Sequence, residues 1–244
     1  MQLSSVTRAL RILDLIAQSE KPLTLKHISE ALLIPKSTAH GILRDLATER
    51  FVEVCEPAGY TVGIKAFEVG AAHLRVSGVG GVIAAELVAL SRALEATAHY
   101  AVLDGTEAVY LYKQDPPAVG VQLASSVGAR LPSHLTAVGK CCLAWLDPNE
   151  LADHVTVSVT TGDVALDTLT EELAAVRARG YAADPGHVAV GVECVAAPVF
   201  DTAGPKGAVG VSYLRGTRAP DGDVAHQVRT AAARLTSMLG GNSK

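Results

Sequence analysis

Lys36, Ser37, Thr38, His40 and Arg44 bring together in one short stretch the side chains that meet nucleic acid. Basic groups neutralise phosphate, while small polar groups and imidazole hydrogen-bond to base edges in the major groove. Spacing decides whether they share a face. Ala39, Ile42, Leu43 and Leu46 recur at helical intervals and predict a buried stripe, leaving Ser37, His40, Gly41 and Arg44 on the opposite side. Lys36, Ser37 and Thr38 then stand at the helix N-terminus. Just upstream, Leu25, Ile28, Ala31 and Leu32 predict a shorter amphipathic helix with Thr24 as its N-cap. Leu33-Ile34-Pro35 separates the two, with Pro35 suited to the first turn of the second helix. Two short helices across such a break form a helix-turn-helix, which lays its second helix in the major groove.

Other elements must hold that pair. Val6, Leu10, Leu13 and Ile16 predict a first amphipathic helix over residues 4–19, which completes a three-helix core. Residues 51–55 and 60–62 read as two strands around Pro57-Ala58-Gly59, so the three helices carry a β-hairpin wing. Helical spacing resumes over 64–75 and runs into Ser77-Gly78-Val79-Gly80-Gly81, where the glycine density marks a hinge. The expected division is a DNA-binding domain at 1–63, a linker helix and hinge at 64–80, and a second domain at 81–244. Within the latter, helices are expected over 82–97, 136–146, 148–154, 170–179 and 224–239, with Thr168 and Glu171 at capping-box spacing. Strands are expected over 99–103, 108–113, 119–123, 194–200 and 208–214, and Asp104-Gly105-Thr106 turns between the first two. Hairpin-like strand pairs with flanking helices imply an α+β fold.

Composition narrows the function classes. The chain has 244 residues, enough for two domains, and its 49% hydrophobic content includes no uncharged apolar run near the ~20 residues of a membrane helix. The first residues lack an apolar signal-peptide core, so the cytoplasm is the expected location. Residues 1–50 carry seven Lys or Arg against five Asp or Glu, a net of +2 within a chain of net −4. The remaining −6 suits a specific DNA module on a mildly acidic body better than a polybasic coat. Four cysteines without CxxC spacing read as buried free thiols, and eight scattered histidines form no metal motif. No cofactor or metal is expected.

Both halves resemble one family, the IclR-type bacterial transcriptional regulators. The likeness lies in SVTRALRILDLIA, PLTLKHIS, PKSTAH and YTVGIKAFEVG, and more specifically in VGARLPSHLTAVGK (127–140) and GVECVAAPVFDTAG (191–204). The resemblance implies a winged helix-turn-helix, a linker helix and a C-terminal GAF-like α/β effector-binding domain. It implies an operator-binding regulator, repression being favoured over activation, whose affinity responds to a small carboxylate, aliphatic or aromatic. It also implies homodimers that pair into tetramers.

The resemblance places the effector at the loop of Gly128, Ala129, Arg130 and Leu131 and on the helix that starts near Thr136. Free N–H groups and the dipole at a helix start suit a carboxylate. The opposite wall comes from the positions matching Asp184, Cys194 and Ser212. Each residue keeps a second reading. Asp184 precedes Pro185-Gly186 and could start a turn; Cys194 could be a structural thiol; Ser212 could face the core; Arg130 could make a surface ion pair; and His134 could be a buried structural histidine. Trp145 and Tyr181 read as core.

Four positions depart from the family pattern. Gly41 stands where relatives carry a basic residue, and the wing tip lacks an arginine, which shifts DNA contact onto Lys36, His40 and Arg44. Ser133 replaces a usual leucine and Leu214 a usual serine, so a less polar pocket and a larger or partly aromatic effector are expected. Two other readings compete. One is an enzyme with Cys194 or Ser212 as nucleophile and His134 or His187 as base, for which no spacing supplies a partner. The other is a thiol sensor at Cys141 and Cys142, which helical geometry would point apart.

Overall fold

Helix α1 (Ser5–Ala17) starts where the Ser4 hydroxyl accepts from the Thr7 N–H at 3.1 Å. In α2 (Leu25–Ala31) Thr24 does the same for His27 at 3.2 Å. Each cap satisfies a donor that the first helical turn leaves without an intrahelical partner. The α2 turn closes as Ser29 Oγ donates to the Ile34 carbonyl at 2.7 Å. Pro35 then takes the N-cap position of α3 (Lys36–Thr48), one residue earlier than the expected first turn and with no side-chain cap. Ile12, Ile16, Ile28 and Leu43 meet Val52 in a small core.

Strands β1 (Val52–Cys55) and β2 (Gly59–Val62) pair antiparallel as the wing. Tyr60 and Leu23 exchange two backbone hydrogen bonds of 2.9 Å, which stitches the wing to the start of α2. That stitch requires glycine at 59. Its φ is +125°, and a Cβ there would lie 2.3 Å from the Leu23 carbonyl oxygen. Helix α4 (Ile64–Val76) follows.

The computed structural model describes residues 4–76, 80–117, 126–147, 150–151, 166–218 and 222–241. The chain divides into two units, Met1–Gly78 and Val79–Lys244. The hinge residues 77–79, the expected strand 119–123 and most of the expected helix 148–154 lie outside the described residues.

The second unit is α5 (Gly80–Leu94), β3 (Thr97–Asp104), β4 (Glu107–Gln114), β5 (Arg130–Pro132), α6 (Ala137–Leu143), α7 (Leu166–Arg179), β6 (Ala182–Asp184), β7 (Val192–Asp201), β8 (Gly204–Leu214) and α8 (Asp223–Met238). Helix α7 begins before Thr168, so that residue lies inside the helix rather than at its cap. The six strands form one antiparallel sheet, ordered β5-β4-β3-β8-β7-β6. Side chains alternate along each strand, and the two faces bury separate cores. Val195, Ala197, Val209 and Val211 pack with α5 and α8. Ala182, Ala196 and Ala208 pack with α6 and α7.

The register shift opposite Tyr100 and Ala101 leaves Leu111 of β4 as the extra residue of a bulge. Along β3 the alternation is kept, so Tyr100 joins the first core and Ala101 the second. Arg234 grips Glu86 with Nε–Oε1 at 2.9 Å and Nη2–Oε2 at 2.8 Å, fixing α8 on α5. Lys140, 1% exposed, reaches Glu172 at 2.9 Å and ties α6 to α7.

Candidate nucleic-acid interface and ligand cavity

On α3, Ala39 and Leu43 are buried while Lys36, Ser37, His40 and Arg44 are exposed. Among the described residues the side chains of Lys36, Ser37, Thr38 and His40 make no hydrogen bond, so their donors and acceptors are unspent. Arg44 lies 3.4 Å from Asp45, with both side chains more than 70% exposed. An exposed pair of this kind is worth ~1 kcal/mol or less and gives way easily to a phosphate. Thr24 spends its acceptor on His27 and keeps its hydroxyl proton. Gly41 lies on the same helix with nothing within 4 Å of an added Cβ.

In the second unit a cavity of about 280 Å³ opens between the sheet and α6. It sits at the lower edge of ordinary small-molecule sites, ~300–1,000 Å³. Ala129, Leu131, Asp184, Cys194 and Ser212 line it, as do Ala137 and Val138 from the first turn of α6. The loop residues 185–191 close one side with Val188 and Ala189.

Two expected loop residues do not face it. Gly128 is exposed and ties its N–H to the Tyr110 carbonyl at 2.7 Å. Leu131 pairs with inward-facing Ala108 in β4, so the neighbouring Arg130 is turned to the other side. There it meets Asp104 at 2.8 Å and Glu107 at 2.7 Å, which makes it a surface ion pair. Hence no cationic side chain lines the cavity among the described residues. Ser133 and Leu214 are also absent from the wall. Ser133 is buried, its Oγ donating to the Thr106 carbonyl at 2.8 Å, and Leu214 is 43% exposed at the end of β8. The low polarity of the cavity therefore has another source than these two positions. His134 is buried but does not reach the cavity.

Asp184 is placed on the cavity wall and also starts the turn. It lines the cavity, and its Oδ1 accepts from the N–H groups of Gly186 at 3.0 Å and His187 at 2.8 Å, which turns the 185–191 loop. Cys194 Sγ and Ser212 Oγ are 3.0 Å apart across the β7–β8 pair. Burial pushes the Cys194 thiol up to about 11, so it stands as a weakly polar thiol rather than a thiolate nucleophile. Burial likewise raises Cys141, whose Sγ points to the Ala196 carbonyl, and pushes Cys142 up to about 12. All four cysteines are free.

Sequence reasoning missed His99 and Tyr110. Their rings lie 5.2 Å apart on the cavity wall. Burial, and then the charge of Lys113, lowers the His99 pKa to about 4, and its Nδ1 has no hydrogen-bond partner among the described residues. A neutral imidazole with an unspent nitrogen is a natural hydrogen-bond partner for a ligand. Alternation in the expected strand at 99–103 already puts His99 on the Ala101 face, but nothing in the sequence marks that face as a cavity wall.

Residues 5–54 match the IclR helix-turn-helix domain, and residues 72–237 match the C-terminal domain of bacterial transcriptional regulator IclR. The chain is similar to HTH-type transcriptional regulator XynR of Escherichia coli, with 34% identity over 82% of this chain and 81% of that protein. It is 30% identical to the transcriptional repressor IclR of Escherichia coli over 82% and 76% of the two chains. An IclR transcriptional regulator from Alicyclobacillus acidocaldarius has a TM-score of 0.84 at 25% identity, covering 98% of each chain. An IclR homologue from Microbacterium hydrocarbonoxydans, complexed with 4-hydroxybenzoate, shares the fold with a TM-score of 0.83 at 19% identity, over 97% of this chain and 99% of that one. With an exposed polar recognition helix in one unit, a small-molecule cavity in the other, and family matches over both, the chain belongs to the IclR family of bacterial transcriptional regulators.

Proposed function

We propose that this chain is a cytoplasmic repressor that grips its operator as a homodimer, dimers pairing into tetramers, and that a small carboxylate in the C-terminal cavity changes operator affinity. A member of a regulator family, it is not an enzyme. The observation that carries the reading is the pairing, in one chain, of an unspent polar face on α3 with an apolar cavity in a separate unit. Residues 1–63 would bind DNA, 64–80 would link, and 81–244 would bind effector.

Lys36 and Arg44 would hold phosphates, with Ser37, Thr38 and His40 nearer base edges and Thr24 supporting from α2. Repression is supported by relatives named as repressors, including the acetate operon repressor of Salmonella typhimurium.

With no cation among its described lining residues, the cavity favours an acid whose apolar body supplies much of the affinity, leaving Ser212, Tyr110 and His99 to fix its polar atoms. A benzoate-sized acid suits it better than a two-carbon acid. The homologue that holds 4-hydroxybenzoate is a neighbour in fold with a ligand of that chemistry. Calorimetry should detect binding of benzoate-sized acids. Tight binding of a two-carbon acid with none of benzoate would overturn the size argument.

The wider test is fluorescence anisotropy on DNA flanking the chain's own gene, at two salt concentrations, with a panel of aliphatic and aromatic carboxylates. Salt-dependent binding shifted by one compound is the expected result. Affinity equal to that for scrambled DNA throughout would contradict the operator assignment.

A further inference from the structure

The C-terminal unit holds a second cavity, of about 490 Å³, which shares no lining residue with the first. It lies where the last turn of α7 and the outer face of α8 meet β7, with Pro198 and Phe200 among its apolar lining. Arg177, Arg179 and Arg229 converge on it, and no Asp or Glu among the described residues lines it. Three guanidiniums on one cleft are out of keeping with the net −6 of the chain beyond residue 50.

Two of the arginines are held in place by single hydrogen bonds. Arg177 Nη1 donates to the Ala144 carbonyl at 2.8 Å, and Arg179 Nε donates to the Tyr181 carbonyl at 2.7 Å. Arg179 also stacks on the Tyr181 ring, 4.6 Å from its centroid. Each guanidinium has five N–H donors in a rigid fork, so most remain for a ligand while the plane is already fixed.

Placement in the last turn of α7, where cations offset the helix dipole, accounts for these two charges. It does not account for Arg229, which comes from α8 and makes no hydrogen bond or ion pair among the described residues. Gly180 makes room for it. At φ +76° this glycine ends α7, and an added Cβ would lie 3.3 Å from Arg229 Nε. His226 and Thr230 line the same side from α8.

We propose that this cleft is a second ligand site, taking a small multivalent anion that carries phosphate or paired carboxylates, separate from the cavity that faces α6. Arginine forks match both groups bidentately.

Titration calorimetry of the full chain with inorganic pyrophosphate and with citrate, at matched ionic strength, tests it. One saturable site per chain is expected, with Arg229→Gln weakening it at least about tenfold. Lys206→Gln removes the same charge from an exposed position outside the cleft and should leave the affinity unchanged. Binding of pyrophosphate alone identifies phosphate chemistry, of citrate alone polycarboxylate chemistry, and of both a site selective for charge. Absence of saturable binding by either probe overturns the proposal. So does an unchanged affinity in Arg229→Gln, or an equal loss in Lys206→Gln. Arg229 is exposed, and circular dichroism of the variant checks that any loss is not unfolding.

Discussion

His99 carries a cost that pH can reveal. Its folded pKa is lowered to about 4 from an ordinary 6.5, mainly by burial, so the unfolded chain takes up a proton in this window that the folded chain refuses. Stability therefore falls as pH drops from 6.5 towards 4, by about 3 kcal/mol in total from this residue. His99→Phe keeps a ring against Tyr110 and removes the titration, so urea unfolding at pH 7 and pH 5 should show a smaller acid loss than in the wild type. An identical loss would place the acid sensitivity elsewhere. On α3, Arg44→Ala should weaken operator binding and flatten its salt dependence by about one counterion. If slope and affinity both stay, Arg44 touches no phosphate. Residue identity was legible in the sequence, but direction was not. Arg130 and Leu131 adjoin, and only the pairing of β5 with β4 determines that the leucine enters the cavity while the arginine meets Asp104 and Glu107.

The recognition helix contains its own weak point at Gly41. A helix-interior glycine costs about 1 kcal/mol relative to alanine, and here an added Cβ meets nothing within 4 Å. Gly41→Ala should raise the stability of the N-terminal unit by about that amount, seen as a higher unfolding midpoint. A lower midpoint would mean that the position needs glycine for a reason the packing does not reveal. Elements with strong periodicity were legible. The three N-terminal helices, the wing and the helix after it all follow from apolar spacing and caps, within a residue or two. Strands β5 and β6 were not, because three residues cannot display alternation. Both matter to the site: β5 brings Leu131 to the cavity wall, and β6 brings Asp184. The cleft beside α7 was invisible for a different reason. Arg229 is about 50 residues beyond Arg177 and Arg179 in sequence, and only the meeting of two helices over β7 gathers them.

At the scale of the whole molecule, the N-terminal unit leaves large apolar side chains in solvent. Val6 and Leu10 lie on one face of α1, and Ile64 and Phe67 on one face of α4, with Phe67 71% exposed. Apolar faces of this kind mark interfaces, and a second copy is the partner that the proposed dimer, reading two operator half-sites, would bring. On that proposal, Phe67→Glu should convert dimers to monomers in sedimentation and lower operator affinity by ~100-fold or more, since the second half-site contact loses its effective concentration. Unchanged sedimentation would remove α4 from the interface. Coupling between the two units has a stricter signature. If the effector weakens operator binding by some factor, then the operator must weaken effector binding by the same factor, because both describe one coupling free energy. Effector affinity measured by calorimetry on the free protein and on the operator-bound protein should therefore differ by the ratio that anisotropy gives for the operator. Equal ratios would tie the response to one equilibrium between DNA-competent and incompetent forms. A large effect on DNA with no change in effector affinity is incompatible with that linkage at fixed assembly, and would mean that the effector acts by changing how many copies associate.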